Sequence, residues 1–98
     1  MKVSVQSVNF NISRDLVEYI EKKINNLEKF HDHILGAEIF LKVQSTSEKE
    51  NKIVEIKMTL PGNDIVAKKQ SKTFEDAVSQ ASESIRRQLV KRKERLRA

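Results

Sequence analysis

The chain has 98 residues, 38% hydrophobic and 34% charged, which suits one small domain spanning 1–98 with a modest core and a heavily charged exterior. It has no cysteine, which excludes disulfides, thiolate metal sites and a cysteine nucleophile, and its four Phe, one Tyr and no Trp argue against base stacking as a main binding mode. The net charge of +5 is regional: residues 86–97 carry Arg86, Arg87, Lys91, Arg92, Lys93, Arg95 and Arg97 against Glu94 alone, and the remainder nearly cancels.

The opening MKVSVQSVNFNIS lacks the long apolar core of a signal peptide. No apolar run approaches the length of a membrane span. No membrane partner is expected, and the cytoplasm is the expected compartment.

Val3 and Val5 alternate with Lys2, Ser4 and Gln6, the period of a half-buried strand. Asn9–Ser13 breaks that pattern and supplies helix-capping residues. From Ser13 to about Phe30, the spacing of Leu16, Val17, Ile20, Ile24 and Leu27 predicts a helix with one apolar face. A second strand follows Gly36, with Ile39, Leu41 and Val43 alternating against Glu38, Phe40 and Lys42. Residues 45–52, STSEKENK, read as an exposed hairpin loop.

Val54, Ile56, Met58 and Leu60 then share one face of a third strand. Pro61-Gly62-Asn63-Asp64 is a strong turn signal, and a fourth strand runs from Ile65 to about Lys69. Thr73 followed by Asp76 is close to a capping box. It opens a second helix whose stripe is Phe74, Ala77, Val78, Ala81, Ile85, Leu89 and Leu96. From about Arg95 onward the chain reads as a tail that orders on binding.

The order β-α-β-β-β-α predicts an α+β sandwich: a four-stranded sheet with two helices packed on one face, similar to double-stranded RNA-binding domains. The first two strands, if neighbours, form a parallel pair with a right-handed crossover, and the rest form an antiparallel meander.

At about 100° per residue, Arg87, Lys91 and Arg95 stack along one flank of the last helix, and Arg86, Lys93 and Arg97 along the other. Such rows can follow a phosphate backbone and release its counterions. The competing reading is a solvated helix face whose cations also suit the helix C-terminus. A face built for solubility would interleave glutamates, and only Glu94 does so. On the first helix, Lys22, Asn26 and Lys29 form an edge opposite Glu21 and Glu28, which reads equally as an ordinary amphipathic surface. Lys68, Lys69 and Lys72 either extend a basic surface or protect an edge strand.

Catalytic signals are poor. His31 and His33 flank Asp32 without further ligands at metal spacing, and Gly36 and Gly62 do not make a phosphate loop. Glu48 and Glu50 sit in a lysine-rich loop. No enzyme activity, cofactor or metal is expected.

The segment KTFEDAVSQASESIRRQLVKRKERL resembles the closing helix of the ribosome hibernation promoting factors, the family that includes ribosome-associated inhibitor A. The pattern R-Q-L-x-K-x-K-x-(K/R)-L falls on Arg87, Gln88, Leu89, Lys91, Lys93, Arg95 and Leu96. Independently, NFNISRDLVEYIEKKINNLEKF resembles the family's first loop and helix. The resemblance implies a protein that binds the small (30S) ribosomal subunit in its decoding channel. There it would contact 16S ribosomal RNA, block mRNA and tRNA, and idle the ribosome.

By motif, Arg87, Lys91, Lys93 and Arg95 would contact phosphates, with Arg86 and Arg92 as additions and Lys22, Lys23 and Lys29 from the first helix. Thr73-Phe74-Glu75 departs from the D-x-Y found in several members, so no tyrosine role carries over. The chain resembles the short form, without a C-terminal dimerisation domain, or else a piece of a long one. As a short form it would be a monomer when free and would leave ribosome pairing to a separate dimerising factor. Two other readings stay open: a general double-stranded RNA binder, and a module whose basic helix docks on an acidic protein.

Overall fold

The computed structural model describes residues 1–44 and 51–97, with side chains as far as Glu94. The stretch 45–50, expected as a loop, lies outside the described residues, as do the side chains of Arg95, Leu96 and Arg97. The elements are β1 (Lys2–Val8), α1 (Arg14–Asn25), a 3-10 helix (Asn26–Phe30), β2 (Gly36–Val43), β3 (Lys52–Thr59), β4 (Ile65–Ser71) and α2 (Phe74–Arg97). The strands lie in the order β1-β2-β3-β4, with β1 parallel to β2 and the other pairs antiparallel.

Register makes the period-two pattern into a surface. Val5, Ile39, Ile56 and Ala67 form one row across all four strands, and Val3, Ala37, Met58 and Ile65 form the next. Ile20, Ile24 and Leu27 join these rows in a single core with Ala77, Val78, Ala81, Ile85 and Leu89 of α2. The opposite rows are polar or mixed, such as Gln6, Phe40, Glu55 and Lys68, so the sheet is covered on one face only.

Several details depart from the sequence pattern. The α-helical part of the first helix ends at Asn25, and Asn26–Phe30 continues as a 3-10 helix. Two consecutive asparagines are poor helix formers, and the tighter winding still sends Leu27 into the core. Strand β4 extends two residues beyond Lys69, to Ser71, because pairing with β3 continues through Ser71↔Lys52. Helix α2 is helical through Arg97, where cations favour the helix C-terminus, so the backbone from Arg95 is not a loose tail.

The capping box is only half formed. Thr73 Oγ1 accepts from the Asp76 N–H at 3.1 Å. The Asp76 carboxylate instead accepts from the Ser71 hydroxyl and from Gln80 Nε2, tying the end of β4 to the first turn of α2.

Two contacts fix the connections. Phe10 stacks on Phe74 with centroids 5.1 Å apart, pinning the β1–α1 loop to the start of α2. That loop turns through Asn9 at φ 62°, a conformation asparagine tolerates. Between β3 and β4, Gly62 adopts φ 95°, and the Arg92 guanidinium donates to the carbonyls of Asn63 (2.8 Å) and Pro61 (3.2 Å).

His31, just past the 3-10 helix, is buried, and its Nδ1 accepts from the His33 backbone N–H at 3.1 Å. Burial, then His33, push its pKa below the ordinary histidine value; Arg92 and Lys93 add to this and Asp32 opposes it.

Leu89→Ala is expected to lower the unfolding free energy by about 2–5 kcal/mol, whereas Lys91→Ala should stay within about 0.5 kcal/mol; urea titration followed by circular dichroism checks both. For His31 the folded state binds fewer protons than the unfolded one. Its contribution to stability is therefore full above the unfolded pKa and declines as pH falls through it toward the folded value. The urea midpoint should fall as pH drops from about 7.5 to about 5.5, and His31→Gln should flatten that fall.

Candidate nucleic-acid interface

Helix α2 lies along the sheet on its apolar stripe, so its polar residues divide into two flanks at fixed angles. One flank faces α1 and the 3-10 helix, and the other faces the β4 edge.

On the first flank, Lys23, Asn26, Lys29 and Phe30 approach Ser79, Ser82, Glu83 and Arg86 across an inter-helix groove of about 340 Å³. Farther along, Lys29 and Phe30 meet Val90, Lys93 and Glu94. Lys23, Lys29 and Arg86 thus line one groove, and Lys93 lines an adjoining depression that shares Lys29 and Phe30 with it. Phe30 organises the middle of this flank: Lys29 Nζ lies 5.4 Å from the ring centroid and the Arg86 guanidinium carbon 5.8 Å. Cations held over a ring face are oriented without being neutralised. Lys23 lies 6.0 Å from the Tyr19 ring in the same way. Ser82, buried beneath the groove, has no hydrogen-bond partner for its hydroxyl among the described residues.

On the second flank, Arg87 and Lys91 are exposed. Arg87 shares a shallow depression with Lys69 of β4 and with Ser79, Gln80 and Glu83. Gln88 reaches the β4 edge through Val66 O at 3.4 Å.

Glu83 stands on the ridge between the two flanks. Arg86 Nε donates to its Oε2 at 2.9 Å, and Arg86 Nη2 donates to Oε1. The bonded guanidinium holds the Glu83 carboxyl below its usual range, with Arg87 and Lys23 acting in the same direction. The same pair raises the pKa of Arg86.

The predicted residues therefore separate into groups. Lys23, Lys29 and Arg86 share the inter-helix groove, Lys93 lines the depression next to it, and Arg87 and Lys91 occupy the other flank. Arg92 turns to the β3–β4 turn, where it holds two backbone carbonyls. Lys22 is exposed in the last turn of α1 and lines neither surface. The side chain of Arg95 lies outside the described residues.

Sequence reasoning missed Phe30 and Glu83 as site residues. Phe30 carried a usable signal, an aromatic at the end of a cationic helix. Glu83 carried one too, standing three and four residues before Arg86 and Arg87 on the same helix. Among the described residues no cluster of three or more His, Asp or Glu side chains is placed to hold a metal ion, and no helix is long and apolar enough to cross a membrane.

The chain is similar in sequence and fold to known proteins. A ribosome hibernation promoting factor of Pseudomonas putida is 25% identical over 95 residues, covering 97% of this chain and 89% of that protein. A ribosome hibernation promotion factor of Deinococcus radiodurans is 32% identical over 89 residues, covering 89% of this chain and 46% of the longer relative. Among solved structures, a ribosomal subunit interface protein from Coxiella burnetii superposes with a TM-score of 0.83 at 28% identity, covering 95% of this chain and 98% of its own. The model of the Sigma 54 modulation protein / S30EA ribosomal protein family matches residues 3–97, from the first strand through the basic end of α2. With fold, basic helix and family match in agreement over nearly the whole chain, the protein belongs to that family.

Proposed function

We propose that this protein is a ribosome hibernation factor. It binds the small ribosomal subunit in the decoding channel, contacts 16S ribosomal RNA, and blocks mRNA and tRNA without catalytic turnover. The observation that carries this reading is the placement of Lys23, Lys29, Arg86 and Lys93 along one flank of the last helix, in two adjoining grooves, with Arg87 and Lys91 on the opposite flank of the same rigid helix. Relatives named as ribosome hibernation factors and a structural neighbour named for the ribosomal subunit interface support it.

In this reading the cations neutralise RNA phosphates and release counterions, which supplies affinity but little sequence selection. Selection comes from shape, since cations on two flanks of one rod must meet phosphates at matching separations. Arg87, Lys91, Lys93, Arg95 and Arg86 make the central contacts, and Lys23 and Lys29 extend them across the groove. Lys22 is a peripheral contact. Arg92 acts first through the turn it holds, with its remaining N–H groups open to phosphate. The protein works in the cytoplasm, as a monomer when free, and pairing of idle ribosomes falls to a separate factor.

Co-sedimentation with purified subunits at stepped salt, with duplex RNA as competitor, tests the reading. The protein should travel with the small subunit at low salt and resist duplex competition. Changing Arg87, Lys91, Lys93 and Arg95 together to Gln should weaken binding and reduce the slope of log K against log salt by about 0.7–0.9 per lost phosphate contact. Absence from the small-subunit fraction at low salt overturns the reading. Equal competition by duplex RNA would indicate a general RNA binder, and binding that survives nuclease digestion would indicate a protein partner.

A further inference from the structure

Glu83 is an acidic side chain that, among the described residues, lines both basic flanks of α2. It shares the inter-helix groove with Lys23, Lys29 and Arg86, and the β4-side depression with Lys69 and Arg87. Its two carboxylate oxygens take Nε and Nη2 of Arg86, the forked arrangement with which a guanidinium also grips a phosphate. The carboxylate therefore occupies the Nε–Nη2 edge of Arg86, the edge that would grip an RNA phosphate in the same forked geometry. The pair is solvent-exposed, with side-chain accessibilities of 51% for Glu83 and 36% for Arg86, so it is weak enough to exchange. Arg86 is also held by Phe30, so losing Glu83 leaves the guanidinium aimed into the groove.

We propose that Glu83 is an internal competitor of the RNA backbone: it occupies Arg86 in the free protein and cedes it to a phosphodiester on binding, so that it sets the affinity of the groove. This rests on the RNA-binding reading above and adds a prediction that reading does not make. Contacts to other cations of the site are paid once, whereas the contact to Arg86 is charged against the broken Glu83 pair. Arg86 is thus partly silenced in the wild-type protein, and removing Glu83 should reveal it.

The test is a double-mutant cycle on Glu83 and Arg86, read as affinity for purified small subunits and, in parallel, for polyuridylate, at several salt concentrations. Glu83→Gln should tighten binding about threefold or more, because Arg86 then takes its phosphate without first giving up a partner. Arg86→Gln should weaken binding at least about threefold more in the Glu83→Gln background than in the wild type. Glu38→Gln, on the open face of the sheet, removes the same charge away from the groove and controls for net charge. A Glu83→Gln effect no larger than that of Glu38→Gln, weaker binding by Glu83→Gln, or additive effects of the two substitutions would each overturn the proposal. Coupling seen with polyuridylate but no binding to subunits would uphold the role of Glu83 and overturn the ribosomal partner. Subunit binding without coupling would do the reverse. Binding to neither probe would overturn both.

Discussion

The packing of α2 on the covered face of the sheet governs the rest of the molecule. Ala77, Val78, Ala81, Ile85 and Leu89 are fully buried, and they meet strand residues aligned in rows by the register. Alanines at two of these positions let the helix approach the sheet closely, and the larger Ile85 and Leu89 fill the space toward its basic half. A helix held along one stripe has no freedom to roll. Its flanks are therefore set, and so is the separation between Arg87 and Lys91 on one side and Arg86 and Lys93 on the other.

That rigidity makes a crowded set of cations usable. Like charges repel, and a flexible tail of this composition would spread them apart. Here several are anchored to something else: Lys29 and Arg86 over Phe30, Lys23 over Tyr19, Arg92 on the carbonyls of the β3–β4 turn. The repulsion is met by packing and local partners rather than by a matching number of acids. Glu83 is the exception, and its position on the ridge bears on both flanks at once. In the proposed RNA-binding role, where phosphate contacts do not read sequence, the spatial pattern of these charges is what the protein offers a partner.

The folding pattern was largely legible because the sheet has one apolar face and each helix one apolar stripe. Val54, Ile56 and Met58 at alternate positions, and Ile85 and Leu89 four apart, follow directly from that geometry. The misreadings came where side-chain periodicity is indifferent to backbone form. The change to a 3-10 helix at Asn26 preserves the burial of Leu27, so the apolar pattern does not register it. Gln70 and Ser71 are polar and fall beyond the expected end of the strand, yet pairing with β3 carries it to Ser71. Asp76 fits a capping-box position, but Ser71 supplies a partner from outside the helix.

What the sequence determined alone was the order of elements, the apolar faces and the concentration of positive charge in the last helix, all set by spacing along one chain. It also carried the resemblance to the family, through Arg87-Gln88-Leu89 and the cations that follow. Tertiary structure decided which charges act together. Lys23 and Lys29 face Arg86 and Lys93 only because α1, the 3-10 helix and α2 lie side by side on the sheet. Arg92, which looks like its neighbours in sequence, is drawn to a turn some thirty residues earlier. The physical reason is that electrostatic and hydrogen-bonding partners are chosen by distance in space, whereas periodicity records only the direction in which a side chain leaves its own element.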